Sequence, residues 1–366
     1  MADAVYIHIP FCVKKCDYCD FLSFQSTKEE RKKYVDFLIK EIRLYPKYKY
    51  DTVYFGGGTP SLLEAEDVKR ILAEFDIAEN AEITLEANPK TVNFEKLKNF
   101  REAGINRISM GIQSFNEKFL KKLGRLHNSQ EGTEAYYDAR KAGFENISLD
   151  LMFSLPEQTL EDVKEDLHKM IKLNPEHFSI YSLIWEPDTK FYEKLESGEY
   201  KETDNDLEAQ MYEYIIDYSK KMGYHHYEIS NFAKEGKEAQ HNSKYWRNKE
   251  YVGIGLGASG YLEGIRYKNK MKFIDYYDSI LLGEKPVLEE EKVDENMEEE
   301  YRHILGLRLL EEGIKISAGK KYWEIYKNLE EKGFIEKKFN ENDKSERYVL
   351  TRKGIFLAND VFERFV

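Results

Sequence analysis

Cysteine is scarce in this chain: three residues in 366, all between positions 12 and 19. That scarcity excludes a disulfide-stapled secreted scaffold. Long apolar runs are missing too. None approaches the ~18 residues of a membrane span, and strand-like sequence starts within a few residues of Met1, so no signal peptide is expected. Positive charge is in deficit: 56 Lys and Arg against 68 Asp and Glu give a net charge of −12. This balance argues against non-specific nucleic-acid binding, which needs clustered cations to neutralise phosphates. These absences together point to a soluble cytoplasmic protein. Apolar residues are plentiful by contrast, at 41%, and aromatics reach 14%. They suffice for one barrel-sized core plus an appendage, and the aromatic excess also suits a flat, apolar ligand.

The three cysteines read Cys12-Val-Lys-Lys-Cys16-Asp-Tyr-Cys19. They follow Ala4–Pro10, a buried strand by composition, and so fall on the loop leaving its carboxyl end. Three thiolates hold a four-iron cluster and leave one iron open to a small molecule. Packing cysteines have no reason to crowd one loop, and a disulfide would leave one thiol over. Structural zinc stays open as an alternative, although it usually takes four protein ligands in paired C-x2-C units. Here His8 would have to supply the fourth from the strand itself.

Strand-like and helix-like segments then alternate. Strands are expected at Val5–Ile9, Thr52–Phe55, Glu82–Ala87, Asn106–Ile112, Ile147–Met152 and Phe178–Leu183, each followed by an amphipathic stretch. Repeated βα units imply a parallel sheet with right-handed crossovers. Unusual chemistry sits at the strand ends: the cysteines, then Gly56-Gly57-Gly58-Thr59-Pro60, Glu86, Gln113 and Asp150. Active sites of βα barrels gather at that face, so an open partial barrel is preferred over a doubly wound sheet. The glycines would let a ligand approach the backbone. Glu86 and Asp150, set in apolar strands, need partners; Arg107 or Arg125 would serve as ion pairs, and a ligand's hydroxyl or amino groups would serve as well. Gln113 offers donor and acceptor together, and Arg125 could grip a carboxylate bidentately.

Four segments are expected: residues 1–225 as the barrel, 226–285 as an extension, 286–300 as a solvated acidic linker, and 301–366 as a winged-helix-like unit. The last would hold helices near Glu299–Glu311 and Ala318–Lys332, a wing near Asn340–Ser345, and a final helix after Tyr348–Gly354.

The cysteine run, with GGGTP, EANP, MGIQSF, LGRLHN and LMFSLP, resembles the radical S-adenosylmethionine superfamily over essentially the whole chain. Within it, the chain is similar to the group of oxygen-independent coproporphyrinogen III oxidases and their heme chaperone relatives. The resemblance implies a partial (β/α)6 barrel of the TIM type with a smaller C-terminal α+β domain. It implies a [4Fe-4S] cluster on Cys12, Cys16 and Cys19, with S-adenosylmethionine on its open iron. The matching cofactor contacts are Tyr6, Tyr18, Gly57, Gly58, Thr59, Glu86, Gln113, Arg125, Asp150 and Ile184.

Two departures favour the chaperone branch. The oxidases resemble C-x3-C-x2-C-x-C, where this chain has Phe21, and they carry an N-terminal extension absent here. A positive feature agrees: His241-Asn242-Ser-Lys-Tyr245-Trp246 resembles the chaperones' H-N-x-x-Y-W motif. An imidazole ligates heme iron and aromatic rings stack on porphyrin, so His241, Tyr245 and Trp246 are the heme candidates, with His225 and His226 as weaker ones. Ala239, where many relatives have cysteine, removes a thiolate ligand, and Leu256 and Ser259 depart from the family's glycine loop. The implied function is heme binding and transfer to an acceptor protein, with an electron donor if the cluster is redox-active; the alternative is oxidative decarboxylation of a porphyrinogen.

Overall fold

The computed structural model describes residues 2–315, 322–340 and 343–366. Six parallel strands lie side by side in chain order: β1 (Ala4–Ile9), β2 (Lys49–Gly57), β3 (Asp76–Ala87), β4 (Arg107–Gln113), β5 (Ile147–Phe153) and β6 (His177–Ser182). Each has a central stretch buried on both faces, Val53–Phe55 in β2 and Ala81–Leu85 in β3 for example. Ile7, Phe55, Leu85, Ile108, Leu149 and Phe178 are fully buried in one core. Most of the crossover helices start at side-chain caps. Thr27, Asn128 and Thr159 each close a capping box, with Glu30, Glu131 and Asp162 respectively.

The sheet does not close on itself. A short antiparallel hairpin, β7 (His225–Glu228) and β8 (Asn231–Ala233), extends it beyond β6, and β9 (Val252–Ile254) pairs in parallel with β1 at the other edge. Nine strands therefore form one open, curved wall. Register fixes which polar groups are neighbours: Glu86 lies beside Ser109, and Asp150 between Gly111 and Ser179.

A second sheet is built from β10 (Ser259–Leu262), β11 (Ile265–Asn269) and β12 (Val287–Lys292), all antiparallel. The acidic stretch expected to be a linker is thus partly a strand. Glu289, Glu290 and Glu291 face Lys268, Tyr267 and Arg266 in register, so strand pairing orders a run whose composition alone reads as solvated. Asp294 caps the helix that follows, Glu295–Gly306. The C-terminal unit carries a third sheet: β13 (Ile314–Lys315), β14 (Ile335–Asn340) and β15 (Ser345–Leu350). Helix Trp323–Glu331 packs with it around a separate core that includes Tyr326, Tyr348 and Phe362. The start of the helix expected from Ala318, and two positions in the turn of the wing, lie outside the described residues.

Candidate functional site

The carboxyl ends of β1 to β6 open into one cavity of about 580 Å³. Cys12, Cys16 and Cys19 reach it from the loop after β1, which is tied down by Cys12 N–Phe24 O at 2.9 Å and Asp17 N–Leu123 O at 3.2 Å. Two sulfurs have polar neighbours: Thr59 Oγ1 is 3.4 Å from Cys12 Sγ, and Arg125 Nη1 donates to Cys16 Sγ at 3.4 Å. Hydrogen bonds of this kind orient the sulfurs and tune a bound cluster. Among the described residues no three His, Cys, Asp or Glu side chains are gathered around a point that a single ion would occupy. His8 is engaged elsewhere, with Tyr6 Oη 3.0 Å from Nδ1 and Leu22 O 3.2 Å from Nε2.

Across from the cysteines, Glu86 accepts from Tyr54 Oη at 2.7 Å and from Gly57 N at 3.1 Å. Burial pushes its carboxyl up to about 7, and the neighbouring Asp150 adds to the rise. Asp150 is raised to about 6, again by burial, with Arg107 opposing. Two carboxyls that resist ionisation, on β3 and β5 either side of β4 in the wall of one cavity, fit a ligand bearing hydroxyl or ammonium donors. Arg107 Nε and Arg125 Nε are buried without a hydrogen-bond partner. Gln113 holds φ at +70°, in the left-handed region, where the β4–β5 register shifts. This irregularity aims its side chain inward, with Oε1 accepting from Tyr181 Oη at 2.9 Å.

The other expected contacts divide. Tyr18, Gly57, Gly58, Thr59 and Ile184 border the cavity. Tyr6 does not; its ring stacks behind Tyr54 at 6.2 Å. The glycines answer first to the fold. A Cβ on Gly57, at φ +110°, would sit 2.5 Å from the His8 ring, and one on Gly58 would sit 2.7 Å from Phe11 O. Both amides are already used, Gly57 N by Glu86 and Gly58 N by Ile9 O, so they are not free for a ligand.

The HNSKYW segment departs most from its sequence reading. It forms helix Gln240–Trp246, fastened inside the amino-terminal half of the barrel. Glu82 accepts from the Gln240 and His241 amides at 3.2 and 3.1 Å, and Lys244 pairs with Asp3 at 2.8 Å. His241 is 0% exposed, with Thr52 Oγ1 2.9 Å from Nδ1 and Tyr245 Oη 2.7 Å from Nε2. Both ring nitrogens face protein groups, so in this arrangement His241 presents neither to the cavity. Tyr245 is committed to that contact and Trp246 lies under the Arg308 guanidinium at 4.3 Å, so neither offers a free face to the cavity. The motif delivers Asn242 to the cavity instead. His226 stacks on Phe232 at 4.3 Å with Nε2 3.1 Å from Ile229 O, outside the cavity lining, while His225 is half-exposed at the surface. Sequence reasoning missed Tyr54, His177, Ser179, Tyr181 and Asn231, all on the cavity wall; the only available signal was their position at strand ends.

Residues 6–170 match the model of the radical SAM superfamily. The chain is 40% identical to the heme chaperone HemW of Lactococcus lactis over 376 residues, covering 100% of this chain and 97% of that protein. It belongs to the HemW family of heme chaperones. The HemW of Bacillus subtilis is 38% identical, with 99% of both chains covered. Among solved structures, the radical SAM coproporphyrinogen III oxidase HemN of Escherichia coli superposes with a TM-score of 0.83 at 21% identity, covering 99% of this chain and 89% of that one. That likeness shows the shared fold: the open parallel wall with smaller sheets toward the C-terminus. No helix among the described residues is long and apolar enough to cross a membrane.

Proposed function

We propose that this protein is a heme chaperone of the radical S-adenosylmethionine type. It holds a [4Fe-4S] cluster on Cys12, Cys16 and Cys19 and S-adenosylmethionine in the adjoining cavity, and it passes heme to an acceptor protein in the cytoplasm. The supporting observation is that three sulfurs from the loop after β1, the carboxyls of Glu86 on β3 and Asp150 on β5, and the buried Arg107 of β4 border one cavity. The cluster would supply an electron to the sulfonium of S-adenosylmethionine if it is redox-active, and would then need an electron donor.

The chain's own residues bind and orient. Glu86 and Asp150 accept from ribose hydroxyls or the ammonium group. Arg125 retains N–H groups for a carboxylate beyond those spent on Cys16 Sγ and Gly111 O. Gln113 donates through its amide nitrogen while Tyr181 fixes the oxygen. Thr59 and Arg125 place a hydroxyl and an N–H against the Cys12 and Cys16 sulfurs.

The chaperone reading rests on relatives matched over the full chain and on Phe21, which stands where the oxidases have a further cysteine. The experiment is anaerobic reconstitution followed by two assays on the same sample: heme titration by absorbance, and turnover of coproporphyrinogen III with S-adenosylmethionine and a strong reductant. Stoichiometric heme binding without protoporphyrinogen is expected. Sustained product would make the protein an oxidase, and failure to bind heme would remove the chaperone function.

A further inference from the structure

The cavity changes character at its mouth. Its depth is polar, but two large apolar side chains border the opening and face solvent: Phe21 at 60% exposure, directly after the cysteine loop, and Ile184 at 68%, on the loop after β6. Neither is needed by the core. Val13, on the same cysteine loop, is 51% exposed. Apolar groups left in water at a cavity mouth mark a ligand or partner surface. Lys14 and Lys15 border the same opening and are exposed, and neither pairs with a carboxylate among the described residues. Asp20 and Glu186 also border it, so the mouth is not a general anion site. A ligand suited to it brings its acidic groups to one edge and flat apolar surface to the rest.

We propose that heme seats across this mouth, with its ring against Phe21 and Ile184 and its propionates toward Lys14 and Lys15. This rests on the chaperone reading above and gives that function a location, which the buried His241 does not provide. The placement sets the ring over the cysteine loop, so the cluster and the heme share one opening. Phe21 then has a positive task in place of the oxidases' further cysteine: it supplies an aromatic face.

The test is titration of the cluster-loaded protein with ferric heme and with heme dimethyl ester. The variants are Phe21→Ser, Ile184→Ser and the double Lys14→Glu/Lys15→Glu; Phe339→Ser, exposed on the distant C-terminal hairpin, is the control. All replaced side chains are exposed, so folding and iron and sulfide content should hold. Loss of one buried apolar contact should weaken heme by about tenfold. The lysine variant should weaken heme but leave the ester, which lacks free carboxylates, unaffected. Affinities within about twofold of the unaltered protein in all three variants would overturn the placement. Absence of heme binding by the unaltered protein is a separate result, which removes the chaperone function itself.

Discussion

His241 is fixed through every polar atom it has. Thr52 and Tyr245 occupy its two nitrogens, and its ring stacks on Tyr54 at 5.1 Å. Tyr54 in turn holds Glu86 at the cavity. Burial, then Lys244 and Arg107, lower the imidazole to about 3, so it stays neutral throughout the physiological range. Replacing it with alanine strands two hydroxyls and leaves a hole behind Tyr54. The expected loss is about 2–4 kcal/mol of stability, read as a lower urea midpoint. The depressed value carries a pH signature as well. Below pH 6.5 the unfolded chain takes a proton that the folded imidazole refuses until about pH 3, so this residue makes the protein less stable as pH falls through that window. His241→Ala should flatten that part of the stability profile. An unchanged urea midpoint would mean that the ring is not held as described.

Elements were legible where one principle acted alone. Apolar stretches mark β1 to β6 because parallel strands are buried on both faces, and the cysteines, the glycine run, Glu86, Gln113 and Asp150 mark the first five as those that build the site. The cluster loop and most of the cavity wall follow from that pattern. What stayed hidden depends on distant partners. Helix Gln240–Trp246 reads as a heme motif until Glu82, more than 150 residues earlier, is found capping it. Strand β12 reads as a linker until β11 is placed beside it. Glu41 is a third case, on the inner face of helix Lys28–Ile42. It is fully buried and accepts from Gly255 N at 2.9 Å, Asn269 Nδ2 at 2.8 Å and Tyr276 Oη. One carboxyl thus fastens the first helix to the glycine loop and to helix Phe273–Leu281. Burial raises it to about 7, against the hydrogen bonds that lower it. A raised carboxyl favours the folded state below the unfolded value of about 4.5, and that contribution is lost as pH rises through about 7. Glu41→Gln removes the proton but keeps the shape. Whatever constant cost the amide carries, its stability relative to the unaltered protein should rise by up to about 3 kcal/mol between pH 5 and 8. Paired urea titrations at the two ends measure this. A pH-independent difference would mean that the carboxyl is solvated.

The C-terminal unit has its own core and is joined to the barrel by backbone, ionic and apolar contacts, among them Phe356 against Tyr212. Leu310 N donates to Tyr227 O at 3.0 Å, and Arg352 pairs with Asp217 at 2.6 Å on the surface. The charged part of the joint next to the site is Arg308, whose guanidinium lies over Trp246 and 4.0 Å from Glu228. Glu228 is 0% exposed and also receives the Ser230 amide at 3.1 Å and the Asn231 side chain. Asn231 borders the cavity. A line of contacts therefore runs from the C-terminal unit, through one ion pair, to the site wall. Burial raises Glu228, and Arg308 is what chiefly holds it down. Arg308→Leu leaves that carboxylate buried without a counter-charge, at a cost of about 3–5 kcal/mol. The loss should be larger at pH 8 than at pH 5, since protonation relieves it. Arg308→Leu/Glu228→Gln removes both charges and should recover most of the stability, because the cost lies in the orphaned charge and not in the missing pair. If Asn231 needs Glu228 for its position, affinity for S-adenosylmethionine should fall in the single variant and stay reduced in the double one, where stability returns. Affinity that recovers together with stability would show that the joint serves the fold and leaves the cavity alone.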